Sequence, residues 1–284
     1  MIQPVGGLGN QMFQYAAARC VALRNEAELS LDLSWFETAH DRQFALLPFR
    51  IQASTYVEKA DGAGRPAWLR RMVRRMVRHR ATMPIYREPH FHFSQDVLQL
   101  KSPIRMTGYF QSEKYFLDHA NVIRREFSLA KPPAPATAAI LDLIENSDAI
   151  CLHVRRGDYV SDKRTSAYHG VCSLDYYAKG LGIVSEMLQK PRCFVFSDDP
   201  DWARKNLRTG FPTEIVDIHS TADAHEDLRL MMACKRFVIA NSSLSWWAAW
   251  LGSAAEKRVV APLEWFASSK NETRDLVPAD WIRI

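Results

Sequence analysis

Two adjacent arginines, Arg155 and Arg156, directly follow the apolar segment Ile150–Val154, which is predicted to be a buried strand. Neighbouring residues on a strand point to opposite faces, so an arginine pair inside a sheet would bury at least one charge at a high free-energy cost. The strand is therefore predicted to end near Val154, with both guanidinium groups at its carboxyl end, where open α/β sheets bind ligands. Guanidinium groups match phosphate geometry and stay charged, so the pair predicts a diphosphate-bearing ligand. The alternative is that both arginines only pair with surface carboxylates.

Polar clusters follow three predicted strands in the second half of the chain: His153–Asp158, Ser197–Asp199 and Asn241–Ser243. Because parallel strands bring their carboxyl ends to one edge of a sheet, these clusters should share a crevice. The cluster Asn241–Ser243 precedes a predicted helix, whose N-terminal amides and dipole suit a pyrophosphate, although ordinary N-capping would explain that cluster alone. Asp227 or Asp198 could accept hydrogen bonds from the N1–H and N2–H₂ groups of guanine. Together the clusters predict a nucleotide-diphosphate site.

Two further patterns favour structural roles. The segment Asp199–Asp201 matches the D-x-D pattern that binds metal in many sugar transferases, but it also matches a helix start with proline in the first turn. The helix start is the favoured interpretation, so no metal cofactor is expected. The tryptophans Trp246, Trp247 and Trp250 could stack on a sugar, but their helical spacing favours a place in the core.

The chain is predicted to begin with a strand, a glycine-rich turn, a helix and a second strand: Ile2–Val5, Gly6–Gly9, Gln11–Leu23 and Glu28–Asp32. The glycines do not match the G-x-G-x-x-G pattern of dinucleotide-binding proteins. Asn10 is predicted to be the N-cap of the helix, and with Gln11 beside it this turn suits hydroxyl groups or an anion. A plain strand-to-helix turn with a capping asparagine is the alternative. A further strand is predicted at Ile104–Phe110, followed by a helix that ends near Arg125.

The second half alternates strands and helices, which predicts a parallel sheet with right-handed crossovers. Its strands are predicted at 149–154, 193–196, 214–218, 236–240 and 258–261, and its helices at 137–145, 174–188, 224–233 and 244–251. The proline-rich segment Lys131–Pro135 is the predicted linker. We therefore predict an N-terminal domain at residues 1–135 and a C-terminal domain at residues 136–284.

The composition is that of a globular protein. The 284 residues include 47% hydrophobic and 24% charged residues and carry a net charge of +5, and this length suggests about two domains. The positive charge favours an anionic partner such as a nucleotide, a nucleic acid or a membrane surface. The 5 cysteines include no C-x-x-C pair and fit reduced thiols better than disulfides or a zinc site. No membrane span of about 18 apolar residues and no signal peptide is recognisable, so a cytoplasmic location is expected.

The segment Arg65–Arg80 is predicted to be a strongly basic amphipathic helix, with apolar residues at helical spacing and arginines on the opposite face. One interpretation is peripheral binding to anionic lipid at the inner face of the cytoplasmic membrane. The other is a surface helix that packs its apolar residues on the core and leaves its arginines solvated. Nucleic-acid binding is disfavoured, because the arginines are not interleaved with exposed aromatic residues.

Several blocks of sequence carry a family resemblance: GGLGNQMFQY at 6–15, HVRRGDY at 153–159, FSDD at 196–199 and NSSLSWW at 241–247. In order and spacing they resemble the α-1,2-fucosyltransferases, from residue 5 to about residue 265, with the weakest region around 35–105. The resemblance implies a bacterial glycosyltransferase that is dependent on GDP-fucose, inverting and metal-independent. It also implies an α/β, GT-B-like fold of two Rossmann-type domains facing a cleft, the C-terminal one binding the donor and the N-terminal one shaping the acceptor site.

The resemblance implies roles for individual residues. Arg155 would bind the β-phosphate and stabilise the departing GDP, which can replace the metal used by other transferases. Asp227 would bind the guanine, and Asn10 with Gln11 would lie on the phosphate or acceptor side. The implied donor-binding set is His153, Arg155, Ser197, Asp198, Asp227, Asn241, Ser242 and Ser243, and the implied catalytic residues are Arg155 and Asp158. Either Asp158 or His153 is placed to act as the base, but a dissociative reaction needs little help from one. Arg156 is expected to order the loop, against Asp158 or Asp198.

The leading hypothesis is transfer of L-fucose from GDP-fucose to O2 of a terminal galactose, in an oligosaccharide or a lipid-linked glycan of surface polysaccharide synthesis. The expected partners are GDP-fucose and a galactose-terminated acceptor, with no nucleic acid. Two alternatives stay open. One is a non-catalytic module that binds a nucleotide sugar or a glycan, and the other is a membrane-surface protein built on Arg65–Arg80.

Overall fold

The computed structural model describes residues 1–39, 42–57, 83–156, 170–267 and 272–284. The chain divides into two compact units: Met1–Leu47 with Ile51–Glu126, and Pro48–Arg50 with Phe127–Ile284. The short excursion Pro48–Arg50 belongs to the second unit because its backbone bonds to residues 128–130. The junction at Phe127 lies upstream of the proline-rich segment at which the predicted domains meet. The basic helix predicted at Arg65–Arg80 lies outside the described residues.

Short parallel strands form the sheet of the N-terminal unit: β1 (Ser30–Asp32) pairs with β2 (Ser54–Tyr56), and β3 (Ile85–Arg87) pairs with β4 (Arg105–Thr107). Ile2 joins the two pairs, because it forms parallel bridges to Leu31 and Met106. The predicted first strand is therefore wrong in length and is reduced to this bridge. The amide of Val5 donates to Oε1 of Gln14 (2.9 Å) instead of to a neighbouring strand. β1 and β4 lie within predicted strands but are shorter.

Helix α1 (Leu8–Arg24) is buried on most of its surface. Its N-cap is Gly7, whose backbone is extended, and the preceding Gly6 has a φ of 76°, in the left-handed region that favours glycine. The two glycines let the helix begin earlier than predicted. Asn10 therefore lies inside the first turn, and its prediction as the N-cap is wrong.

A buried carboxylate connects helix α1 to a second helix of the N-terminal unit. Helix α2 (Ala120–Glu126) ends at Glu126, which is 3% exposed. Oε2 of Glu126 accepts from the hydroxyl of Tyr15 (2.5 Å), and the guanidinium of Arg19 donates to both carboxylate oxygens at 2.9–3.1 Å. This bidentate pair anchors α2 against α1.

A 6-stranded parallel sheet forms the centre of the C-terminal unit, in the order β10-β9-β8-β5-β6-β7. Its strands are β5 (Asp148–Val154), β6 (Pro191–Ser197), β7 (Thr213–Val216), β8 (Arg236–Val238), β9 (Arg258–Ala261) and β10 (Ile282–Arg283). β5 is central and buried from Ala149 onward, which explains its continuous apolar sequence. The predicted parallel sheet is confirmed. β10, which was not predicted, is too short to leave a pattern.

Within the described residues, the α-helices of this unit are α3 (Pro135–Glu145), α4 (Leu174–Ser185), α5 (Pro200–Asn206), α6 (Ala224–Ala233) and α7 (Ser243–Leu251). Trp246 and Trp247 of α7 are fully buried. Nε1 of Trp246 donates to the carbonyl of Leu276 (2.8 Å), and the ring of Trp247 packs edge-on against Phe127, with centroids 5.0 Å apart. The core interpretation of these tryptophans is confirmed. Across the described ranges, no helix has both the length and the apolar character to cross a membrane.

Candidate active site

The polar clusters predicted from the sequence follow adjacent strands of the C-terminal sheet. β5 is hydrogen-bonded to β8 on one side and to β6 on the other, and Val154 at its end pairs in register with Ser197. The arginine pair therefore leaves the sheet between the segments Ser197–Asp199 and Asn241–Ser243. This edge brings positive charge and hydroxyl groups together.

The carboxylate of Asp198 holds both arginines through different groups. Its Oδ2 lies 3.1 Å from Nε of Arg155, and its Oδ1 accepts a hydrogen bond from the backbone amide of Arg156 (2.8 Å). The side chains of Arg155 and Asp198 are 28% and 15% exposed, so the ion pair lies at the surface of the sheet edge. The carboxylate thus holds the guanidinium of Arg155 at the carboxyl end of β5.

The guanidinium of Arg156 stacks on an aromatic ring. Its central carbon lies 3.9 Å from the ring centroid of Trp202 in α5, a cation–π geometry. Its Nε is buried and has no hydrogen-bond partner within the described part of the chain. The loop-ordering role expected of Arg156 is thus carried by its backbone amide on Asp198 and by its stack on Trp202. Asp158, the other expected partner and a predicted catalytic residue, lies outside the described residues.

His153 is buried one residue before the end of β5 and is only 5% exposed. Burial, and next the positive charge of Arg155, lower the pKa of His153 to about 3. The ring is therefore neutral at ordinary pH. Its Nδ1 is buried without a hydrogen-bond partner in the described ranges.

The D-x-D segment begins a helix, as the favoured interpretation of the sequence held. Oδ1 of Asp199 accepts from the amide of Trp202 (3.0 Å) and caps α5, whose first residue is proline. Asp201 pairs instead with Arg204 on the surface (2.9 Å). The hydroxyl of Ser197 accepts from the amide of Asp199 (3.0 Å), so this predicted donor-binding residue shapes the turn.

The side chains of Asn241 and Ser242 have different surroundings. The buried amide of Asn241 donates to the carbonyls of Gly170 (3.4 Å) and Trp265 (3.2 Å), and its oxygen accepts from the thiol of Cys172 (3.7 Å). Its side chain is thus committed to joining loops. Ser242 occupies the N-cap position of α7 but makes no capping hydrogen bond through its side chain, so ordinary N-capping does not explain this serine. The donor-binding role of Ser242, and of Ser243 at the start of the helix, stays a prediction.

Asp227 lies in the first turn of α6 and contacts a histidine that the sequence analysis did not single out. Its Oδ1 lies 2.7 Å from Nδ1 of His219, and Nε2 of the same ring lies 2.8 Å from the hydroxyl of Thr137. Burial raises the pKa of Asp227, and the hydrogen bond with His219 opposes this effect. No local pattern connects all three residues, because His219 lies in the loop before the helix of Asp227 and Thr137 lies in a helix 82 residues before His219.

Asn10 and Gln11 belong to the N-terminal unit. Oδ1 of Asn10 accepts from the amide of Gln111 (2.8 Å). Gln11 is fully buried, and its amide group donates to the carbonyls of Gly6 and Gln43 and accepts from the amide of Ala45. Gln11 therefore fixes the glycine-rich turn, and its predicted ligand contact stays a prediction. Asn10 is partly exposed beside it.

The α/β architecture with its large parallel sheet is that of a GT-B-like glycosyltransferase. Among solved structures the chain resembles Arabidopsis thaliana FUT1 in complex with GDP, with a TM-score of 0.50 and 11% identity, covering 98% of this chain and 74% of that one. At this identity the likeness concerns the fold alone. The chain belongs to Glycosyl transferase family 11, which matches residues 1–284.

Relatives of the chain act on different sugars. The α-1,2-colitosyltransferase of Escherichia coli is 30% identical over 283 residues, covering 98% of this chain and 96% of that protein. The O-antigen biosynthesis glycosyltransferase WbnK of the same species is 30% identical over 306 residues and covers 98% of both chains. The galactoside 2-α-L-fucosyltransferase of Caenorhabditis elegans is 28% identical over 197 residues, covering 62% of this chain and 51% of that protein. The predicted family resemblance is confirmed.

Proposed function

We propose that the protein transfers L-fucose from GDP-fucose to O2 of a terminal galactose in an oligosaccharide or lipid-linked glycan. The observation that carries the proposal is Arg155, whose guanidinium lies at the carboxyl end of the central strand β5, on the same edge of the sheet as the segment Asn241–Ser243 that follows β8. Membership of family 11 and the fucosyltransferase among the relatives support it. The relative named for O-antigen biosynthesis supports a role in surface polysaccharide synthesis.

In this proposal the chain acts mainly through electrostatics. The acceptor hydroxyl attacks the anomeric carbon from the face opposite the diphosphate, so the bond to GDP breaks with inversion and negative charge grows on the β-phosphate. Arg155 would stabilise that charge, and a fixed cation at this point favours the transition state over the bound donor. Ser242 and Ser243 would lie along the diphosphate at the start of α7. Asp158 stays a prediction for the base, since the neutral ring of His153 is buried.

A second candidate is transfer of colitose, the 3-deoxy form of fucose. It is favoured by the colitosyltransferase that aligns over nearly the whole of both chains. The two donors differ by one hydroxyl group, and their nucleotide would occupy the same strand-end site. The choice between the two donors therefore depends on the residues around the sugar. The role proposed for Arg155 is the same with either donor.

The test is a competition between the two donors. The purified protein is incubated with lactose or N-acetyllactosamine and with GDP-fucose or GDP-colitose, and the linkage of each product is determined by NMR. A higher kcat/KM with GDP-fucose and an α-1,2 product support the proposal. A higher value with GDP-colitose selects the second candidate. Tight binding of both donors without product would instead indicate a non-catalytic module.

Two further predictions from the sequence belong to the proposal. We propose that no metal is needed, and activity that persists in excess EDTA would support this. We also propose that the basic segment 65–80 binds anionic membranes from the cytoplasmic side. Flotation with anionic vesicles tests this second point, with neutral vesicles as the control and reversal of the charges at Arg70 and Arg71 as the matched variant.

A further inference from the structure

A hydroxyl, an imidazole and a carboxylate form a continuous chain of hydrogen bonds in the C-terminal unit. Thr137 of α3 lies 2.8 Å from Nε2 of His219, and Nδ1 of His219 lies 2.7 Å from Oδ1 of Asp227. Thr137 is 1% exposed, and the side chain of His219 is 8% exposed. This series of hydrogen bonds therefore runs from the buried Thr137 to Asp227, whose side chain is 31% exposed.

The roles of the groups follow from their chemistry. An ionised carboxylate can only accept, so Nδ1 of His219 donates to Asp227. Nε2 then accepts from the hydroxyl of Thr137 when the ring is neutral, and donates to the same hydroxyl when the ring is charged, because a threonine hydroxyl can do either. The ring is held in one orientation in both states. Within the described residues, no hydrogen bond of Asp227 other than the one at Oδ1 is found, so Oδ2 is available to a ligand.

The hydrogen-bonded residues His219 and Asp227 lie at the edge of the sheet that carries the arginine pair. His219 follows β7, which is hydrogen-bonded to β6, and Asp227 lies in the first turn of the helix that comes after it. In a parallel sheet, the segment after a strand and the start of the next helix both lie at the carboxyl edge. Asp227 is thus on the same edge as Arg155, displaced towards β7.

We propose that His219 is a positioning residue that fixes Asp227 to bind the guanine of the donor, and that Thr137 fixes His219 in turn. The inference rests on the proposed function and deepens it, because it assigns the selectivity for the nucleotide base. Guanine presents two adjacent donors, N1–H and N2–H₂, which match one carboxylate. Adenine presents an acceptor at N1, so a carboxylate fixed here rejects it.

Binding of GDP and IDP to the wild type and its variants, measured by isothermal titration calorimetry, tests the proposal. Inosine lacks the 2-amino group, so the wild type should prefer GDP by about tenfold or more. His219→Phe should weaken GDP binding about tenfold and reduce the preference to about twofold, while kcat at saturating donor stays near the wild-type value. His219→Asn, whose amide can donate from the position of Nδ1, should restore most of the preference.

Thr137→Val and His225→Gln complete the design. Thr137→Val removes the hydroxyl at nearly constant volume and should reduce the preference about threefold. His225 contacts Glu226 and takes no part in the hydrogen bonds from Thr137 through His219 to Asp227. His225→Gln should therefore bind both nucleotides like the wild type. A His219→Phe variant that keeps the wild-type preference for GDP overturns the inference, whatever its Tm. Failure of the wild type itself to bind GDP would instead overturn the proposed function.

Discussion

The guanidinium of Arg155 lies 3.1 Å from the carboxylate of Asp198, across the neighbouring ends of β5 and β6. The other oxygen of the same carboxylate accepts a hydrogen bond from the backbone amide of Arg156. One acidic side chain therefore sets both the direction of the first arginine and the path of the backbone after it. The two functions of Asp198 can be separated by mutation, because an amide keeps the acceptor and loses the charge.

Arg155→Ala should lower kcat about 10²–10³-fold with little change in Tm. The reason is that a cation aimed at the leaving diphosphate acts mainly in the transition state, whereas a partly exposed ion pair contributes only about 0–1 kcal/mol to the free energy of unfolding. Steady-state kinetics and thermal unfolding measure the two effects. Arg155→Lys should retain part of the activity. A collapse of Tm in the alanine variant would show that the arginine is structural.

Asp198→Ala should raise the KM for the donor about tenfold, because it removes the partner of Arg155 and frees the backbone of Arg156. Asp198→Asn should raise KM only about threefold, because its amide oxygen still accepts from that backbone. Donor titrations at saturating acceptor compare the variants. A lower KM in both variants would show that Asp198 competes with the diphosphate for the arginine.

His153 should make the protein less stable as the pH falls. The folded-state pKa of His153, about 3, lies below the ordinary histidine value of 6.5, so between these pH values the unfolded chain takes up a proton that the folded chain does not. The contribution of this group to the free energy of unfolding is fully present above pH 6.5. Below pH 6.5 it should fall by up to about 1.4 kcal/mol per pH unit.

Urea unfolding of the wild type and His153→Phe from pH 4.5 to 7.5, followed by tryptophan fluorescence, measures this slope. In the phenylalanine variant, the slope of the free energy of unfolding against pH should be smaller by the contribution of this one proton. The exposed His90 provides a matched control, and His90→Gln should keep the wild-type slope. Equal slopes in all three proteins would contradict the prediction.

Glu126→Gln should destabilise the N-terminal unit by about 3 kcal/mol, because it leaves the guanidinium of Arg19 without its charged partner in a mostly buried position. Tyr15→Phe removes the hydrogen bond to the same carboxylate and also the acceptor of the Gln52 backbone amide (2.8 Å), so it should cost about 2 kcal/mol. Denaturant unfolding measures both variants. A glutamine variant no less stable than the phenylalanine variant would show that the ion pair contributes little.

The elements of the C-terminal unit follow from local sequence. β5 and β6 are apolar runs that end at polar or charged residues, and β9 is an apolar run that ends before Pro262, so their existence and parallel arrangement were predictable. The strands of the N-terminal unit are three residues long, and too few residues carry their pattern. Ile2 could not be recognised as a single bridge, because side-chain contacts of Gln14 replace the rest of its strand.

The strand ends of the site were predictable, but the partners of its side chains were not. Topology predicted that the arginine pair and Ser197–Asp199 share one edge of the sheet, but Asp198 was expected as the partner of Arg156, and its ion pair is with Arg155. The contact of Asp227 with His219, and that of Arg156 with Trp202, depend on how helices pack against the sheet. The side-chain amides of Gln11 and Asn241 donate to backbone carbonyls, which sequence alone could not indicate.

The block 241–247, by which the family can be recognised, is mostly interior. The side-chain amide of Asn241 joins two loops, and Trp246 and Trp247 fill the core. Selection for a stable scaffold alone would therefore preserve most of this signature after the chemistry had been lost. Under the proposed function, inactive descendants of such enzymes would still carry the block, and the loss of Arg155 or of the Ser242 hydroxyl would distinguish them from the working enzymes.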